Sequence, residues 1–272
     1  MTYAKLPVVI SVPHGGTIIP KSLVSKCRLN LQSILLDGDT WSRELYNLHD
    51  YTAAYVDTTL ARAVLDMNRA PDDRPPNNPD GVVKTFTVDQ QEVWTYESGL
   101  PDPVVDELIR TYYRPYHQAL YKVSRLPGML LAIDCHTMLP IAPQISKNRG
   151  DERPIICISN RGDSNGNAAN GPITAPAETV RTLRDALAGV FIHSDIECNI
   201  DRLALINEPF KGGYITWYHG LTGPLPWVQL EINRSIYMPK EIENINELPD
   251  LKTSSKLRDI RNKLIRALEK MF

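Results

Sequence analysis

The sequence has almost no net charge: 30 lysines and arginines against 32 aspartates and glutamates leave −2 over 272 residues. A polyanion partner needs a surplus of cations, so neither nucleic acid nor an anionic membrane surface is expected to bind. No apolar run approaches the length of a membrane span, and the N-terminus carries no signal-peptide pattern, so the expected setting is the cytoplasm. Cysteine is sparse. Cys27, Cys135, Cys157 and Cys198 are scattered, form no CxxC pair, and three of them sit in or beside apolar runs. That usage predicts buried, reduced thiols rather than metal ligands. There is no internal repeat and no linker that would split the chain. What is present is ordinary for a globular protein: 42% hydrophobic and 23% charged residues, which argues against disorder and allows one large core.

The apolar runs are short and bounded by breakers. Met129 to Ile133, after Pro127-Gly128, has no polar alternation and predicts a strand buried on both faces. It delivers Asp134 and His136, two positions apart and therefore on one face if the strand continues. Leu6 to Val12 predicts a second buried strand, ending in Pro13-His14-Gly15-Gly16, where the glycine pair permits a tight turn and a close approach by a ligand. Taken singly, His136 also reads as a hydrogen-bonded strand-end histidine, and His14 as an incidental turn residue. Further strands are predicted at Val56–Thr59, Pro154–Ser159, Val190–His193 and Trp227–Ile232, the last placing Glu231 near its carboxyl end.

Helices are predicted over 39–51, from Asp102 as N-cap with Pro103 first in the helix through Val123 with a kink at Pro115, over Ala175–Gly189, and over Thr253–Phe272. Asp37 and Asp39 precede the first of these, where N-capping would account for them. His117 falls inside the second and reads as packed or exposed rather than catalytic. Segments 71–81 and 160–171 read as long loops. The alternation argues one α/β domain over 1–272. Ligands of such sheets gather at the carboxyl ends of strands, which is where His14, His136 and Glu231 fall.

Two histidines, one carboxylate and an open position form the donor pattern of catalytic zinc hydrolases. A further carboxylate held off the metal takes a proton from water. No HExxH signature is present, so spacing alone does not single this chemistry out. Arg62 and Arg69 flank an apolar segment that ends in Asn68; a guanidinium fork suits a carboxylate, although an arginine on a solvated face is commoner.

As an ordered set, the segments resemble the N-formylglutamate amidohydrolase (N-formylglutamate deformylase) family. They are Ser11-Val-Pro-His-Gly-Gly16, Asp37-Gly-Asp-Thr-Trp41 with Leu45-Tyr46, Arg62-Ala-Val-Leu-Asp-Met-Asn-Arg69 and Tyr113-Arg-Pro-Tyr-His117. They continue with Asp134-Cys-His-Thr-Met138, Phe210-Lys-Gly-Gly-Tyr-Ile-Thr216 and Gln229-Leu-Glu-Ile-Asn-Arg-Ser-Ile-Tyr-Met238. The resemblance implies a zinc-carboxypeptidase-like (phosphorylase/hydrolase-like) fold, a mixed and mostly parallel sheet flanked by helices. It also implies zinc-dependent hydrolysis of an N-acyl amino acid, N-formyl-L-glutamate or a close analogue, in amino-acid degradation such as histidine catabolism. One zinc ion is implied at His14, His136 and Asp39, with Asp37 the alternative carboxylate. Glu231 is implied as general base, Asn68 and Arg69 as binders of the substrate carboxylate, and Arg62 as a further substrate or oxyanion contact. This chain departs from the pattern at Trp217, where family members carry arginine, and at Thr137, where serine is usual; the first bears on substrate choice more than on reaction type. Two other readings compete. Ser164 in Gly162-Asp-Ser-Asn165 is similar to the GDSL esterase motif, although no Asp-x-x-His closes the chain. A binding protein that kept the pocket and lost turnover is compatible with Trp217, but the intact His14, His136 and Glu231 set argues against it.

Overall fold

The computed structural model of the chain describes residues 5–96, 99–143, 146, 148–192, 202–241 and 245–272. Its centre is a six-stranded sheet built from β1 (Leu6–Val12), β2 (Thr52–Asp57), β3 (Leu131–Met138), β4 (Ile156–Ser159), β5 (Ala204–Ile206) and β6 (Trp227–Asn233), in the order β2-β1-β3-β6-β4-β5. Strands β2, β1, β3 and β6 are parallel; β4 and β5 are parallel to each other, and β4 pairs antiparallel with β6. The sheet is therefore mixed and mostly parallel. Every position of β3 and β6 is buried, which is why these segments lack the alternation of a half-exposed strand.

The reversal of β4 has a local consequence. Residues that precede β4 arrive at the carboxyl end of β6, beside the ends of β1 and β3. Asn233 fastens them there: its N–H donates to the Ile155 carbonyl (2.8 Å) and its side-chain amide to the Arg153 and Pro154 carbonyls (3.2 and 3.0 Å).

Helices cover both faces. On one, Val8, Ile10 and Val12 of β1 pack with Leu183 and Leu187 of α5 (Ala177–Phe191) and with Leu257 and Leu264 of α7 (Leu251–Glu269). On the other, Val9 and Ala132 pack with Leu108 of α3 (Asp102–Leu108), and with Tyr116 and Leu120 of α4 (Arg114–Val123). Successive residues of β1 thus enter opposite cores, the period-two signature of a strand covered on both sides.

Several boundaries differ from expectation. The helix expected over 39–51 is only α2 (Ser42–Leu45), because Trp41 adopts a left-handed φ of 55° and breaks the path. An unsignalled helix, α1 (Leu31–Asp37), precedes it, capped by the Asn30 side chain on the Ser33 N–H. The edge strand β2 starts at Thr52, earlier than Val56. Just before Pro115, where the kink is expected, the backbone widens into a π-turn over Ile109–Tyr113 and continues as α4. Proline has no N–H to donate and its ring crowds the carbonyl four residues earlier, so one wide turn absorbs the mismatch. The strand expected at Val190 is the last turn of α5, with Phe191 buried; His193 and Cys198 lie outside the described residues. Cys135 and Cys157 are buried free thiols and Cys27 is partly buried. Among the described residues no helix is long and apolar enough to cross a membrane.

Candidate active site

The strand ends open into a cavity of about 310 Å³, and His14, Asp39, Arg62, Asn68, Arg69, His136 and Glu231 all line it. Each arrives there for a local reason. His14 follows β1 just before Gly16, which lies so close to the next segment that a Cβ there would stand 2.2 Å from the Thr59 carbonyl carbon. His136 and Glu231 are register partners on neighbouring parallel strands and so point to the same side. Asp39 leaves the end of α1, its N–H donating to the His14 carbonyl at 3.0 Å.

Three buried ligand atoms converge. His14 Nδ1 lies 3.4 Å from Asp39 Oδ2, and His136 Nδ1 lies 3.1 Å from both Asp39 Oδ2 and His14 Nδ1. On the far side of each ring stands another carboxylate: His14 Nε2 reaches Asp66 Oδ1 at 2.7 Å, and His136 Nε2 reaches Asp134 Oδ2 at 2.9 Å. A carboxylate accepts, so each ring donates from Nε2, and in its neutral form turns a bare Nδ1 lone pair inward. Two lone pairs and a carboxylate oxygen facing one another repel unless a cation sits between them. Around a tetrahedral ion with ligands at about 2.0–2.1 Å, ligand atoms are roughly 3.3 Å apart, which matches the three separations. Residues and geometry fit a divalent metal, and His14, Asp39 and His136 form the one such group among the described residues.

The electrostatics agree. Burial opposes a charge on His136, yet the adjacent Asp134 and Asp39 raise its pKa well above the ordinary 6.5. Burial likewise works against Asp39, but hydrogen bonds with His136 and His14 hold its carboxyl well below the usual range. Asp66 is held low in the same way, against burial, by His14, Arg62 and Arg69. The cluster attracts positive charge.

Asp37 does not join it. Its Oδ1 accepts from the fully buried Lys84 ammonium (2.9 Å) and from the Val88 N–H (2.9 Å). Asp39 presents Oδ2 because Arg234 holds Oδ1 at 3.1 Å; Arg234 also donates to Thr137 Oγ1 (2.9 Å) and to the Leu36 carbonyl (3.1 Å). Arg234 is therefore not an ion-pair partner of Glu231. Glu231 Oε1 accepts from Gln229 Nε2 at 2.8 Å, and burial, against the pull of His136, pushes its carboxyl up to about 7.

The remaining candidates are partly engaged. Arg62 donates to Asp66 Oδ2 (3.0 Å) and the Asp37 carbonyl (3.0 Å). Arg69 grips Asp80 through its carbonyl and carboxylate (both 2.8 Å) and reaches the Asn68 carbonyl at 3.3 Å. Asn68 Oδ1 accepts the Ile215 N–H (2.8 Å) at the start of α6 (Tyr214–Thr222), where a Cβ on Gly213 would lie 2.3 Å from the amide nitrogen. Trp217 on α6 stands outside the cavity lining, half-exposed and 5.8 Å from the Tyr214 ring. Ser164 lies away from the cavity, and among the described residues no histidine is hydrogen-bonded to it. His117 is packed, its Nδ1 3.0 Å from His219 Nε2.

Sequence reasoning assigned no role to Asp66, Arg234 or Arg153, which also lines the cavity. Asp66 sits two residues before Asn68 in a segment already singled out, and only the fold brings it to His14. Arg153 owes its position to the reversed β4, which hydrophobic patterning does not encode.

Residues 6–238 match the model of a family described as N-formylglutamate amidohydrolase. An N-formylglutamate deformylase of Pseudomonas putida is 28% identical over 262 residues, covering 91% of this chain and 87% of its own. In fold, the chain is similar to an N-formylglutamate amidohydrolase from Ralstonia eutropha JMP134, with a TM-score of 0.73 at 21% identity over 97% of this chain and 93% of that one. It is also similar to a gene product of Agrobacterium tumefaciens, with a TM-score of 0.64 at 16% identity over 99% and 92%.

Proposed function

Because the chain belongs to the N-formylglutamate amidohydrolase family, we propose that it hydrolyses N-formyl-L-glutamate, or a close N-acyl analogue, to the free acid and amino acid with the help of one divalent metal. The observation that carries this reading is the convergence of His14, Asp39 and His136 with Glu231 in the adjacent register position. A cation held by those three side chains, zinc by the chemistry of the donor set, supplies Lewis acidity toward water and the acyl oxygen.

The protein does the rest. Asp66 and Asp134 hold the two imidazoles in the tautomer that presents Nδ1, and Arg234 aims Asp39. Glu231 takes a proton from the attacking water as its oxygen bonds to the acyl carbon. It returns that proton to the nitrogen as the C–N bond breaks, and a carboxyl near neutrality suits both transfers. Arg62, anchored by Asp66, stabilises charge developing on the acyl oxygen. Arg69 keeps guanidinium N–H groups beyond those engaged by Asp80 and Asn68, and Asn68, whose amide nitrogen lies 3.2 Å from His136 Nε2, has a further N–H to offer; together they bind the substrate's α-carboxylate.

The test is an assay of purified, metal-analysed protein against N-formyl, N-acetyl and N-succinyl amino acids, alongside the His14→Ala/His136→Ala variant. Wild type is expected to carry about one metal per chain and to cleave the formyl substrates, and the variant to lose both properties, since one remaining ligand makes a weak site. Stoichiometric metal in the double variant would overturn the ligand assignment. Binding without turnover by the metal-loaded wild type would make this a binding protein.

A further inference from the structure

Four guanidinium groups line the cavity, and they are not equivalent. Arg62 pairs with Asp66 at 3.0 Å, Arg69 with Asp80 at 2.8 Å and Arg234 with Asp39 at 3.1 Å. Arg153 has no ion-pair partner among the described residues, and its Nε is buried without a hydrogen-bond partner. It is nevertheless held firmly. Its N–H donates to the Pro140 carbonyl (2.9 Å), its carbonyl accepts from Asn233 (3.2 Å), and its guanidinium lies over the Phe210 ring, 4.8 Å from the centroid. Stacking occupies a face of the guanidinium plane and leaves the in-plane N–H groups for an acceptor. Burial disfavours its charge, only partly offset by Glu231 and made worse by Arg234. A fixed, partly desolvated cation without an ion-pair partner among the described residues, on the wall of the cavity, is suited to take up a carboxylate.

We propose that Arg153 is the residue that takes the substrate's second, side-chain carboxylate and so sets the discrimination between N-acyl amino acids with an acidic side chain and their neutral counterparts. This rests on the hydrolase reading above, in which Arg69 and Asn68 take the α-carboxylate. A ligand with a neutral side chain would shield the half-buried guanidinium further from water without supplying a charge to pair with it. Exposed Lys211, on the same wall, adds positive potential at the mouth.

The test compares N-formyl-glutamate with N-formyl-glutamine, nearly identical in shape and different in charge, on metal-loaded wild type, Arg153→Gln and Arg153→Lys. Turnover is measured together with calorimetric binding, and thermal melting checks that each variant is folded. Wild type is expected to favour the glutamate substrate. Arg153→Gln should lose at least about 30-fold in kcat/KM and in affinity for it, mainly through KM, the usual scale for truncating one side of a buried charge pair. The glutamine substrate should change less than about threefold, and Arg153→Lys should recover part of the preference. An equal loss on both substrates would overturn the proposal and assign Arg153 to supporting Glu231; no loss on either would overturn it outright. If wild type binds N-formyl-glutamate without cleaving it, and Arg153→Gln abolishes that binding, the hydrolase reading falls while Arg153 stands. If wild type neither binds nor cleaves either compound, both fall.

Discussion

Replacing Glu231 by glutamine removes a proton acceptor and little else. The amide keeps the shape and an oxygen that can still accept from Gln229, and the metal-binding atoms are untouched. Glu231→Gln should therefore retain its metal and its substrate affinity while kcat falls about 100-fold or more, the scale of general-base catalysis. The pH profile carries a second signature. A base works deprotonated, so activity is lost as pH falls through its pKa, which burial pushes up to about 7. A bound cation draws that value down, so the acid limb of kcat should lie at or below about 7 and be absent from the residual activity of the variant. Near-normal kcat with metal still bound would remove Glu231 from the mechanism. The residue itself was legible in the sequence, because a strand-like run leads straight into it. Its bond to Gln229 follows from the same strand, two positions earlier on one face.

Element by element, the structure separates what periodicity encodes from what it does not. The amphipathic stripe of α7 and the apolar runs of β1, β3 and β6 are local patterns, and they fall close to where the sequence puts them. The junction that holds α1 against the loop over 71–81 is not local. Lys84, fully buried, donates to Asp37 at the end of α1 (2.9 Å) and to Asp80 in the loop (3.1 Å), and Asp80 in turn grips Arg69. A lone lysine in an undistinguished stretch announces none of this, and Asp37 looked like a rival metal ligand for lack of its real partner. Lys84→Met should leave the Asp37 carboxylate buried without a counter-charge and destabilise the protein by about 3–5 kcal/mol in chemical denaturation. Adding Asp37→Asn to that variant should restore much of the loss. Additive losses would mean that the two groups do not act as a pair.

For the molecule as a whole, one helical layer carries an acid-sensitive histidine pair. In the layer of α4 and α6, His117 and His219 share a hydrogen bond, and His219 stacks on Trp227 at 5.2 Å. Burial lowers their pKa values to about 4 and about 3. Both lie below the unfolded value of about 6.5, so the unfolded chain binds more protons in between. Their contribution is fully present above pH 6.5 and is lost as pH falls through about 4, on the order of 3 kcal/mol for His117 alone. Urea denaturation from pH 8 to 4.5 should show wild type weakening across that window and a His117→Gln/His219→Gln variant weakening less; parallel curves would reject the account. The sheet also divides its labour by direction of travel. Forward strands bring His14, His136 and Glu231 to the cavity from their exits, whereas the reversed β4 brings Arg153 from its approach. On the roles proposed above, chemistry and selectivity would be written in separate stretches of chain. An engineer wishing to retarget the protein could graft a new approach to β4 and leave the floor of the cleft as it stands.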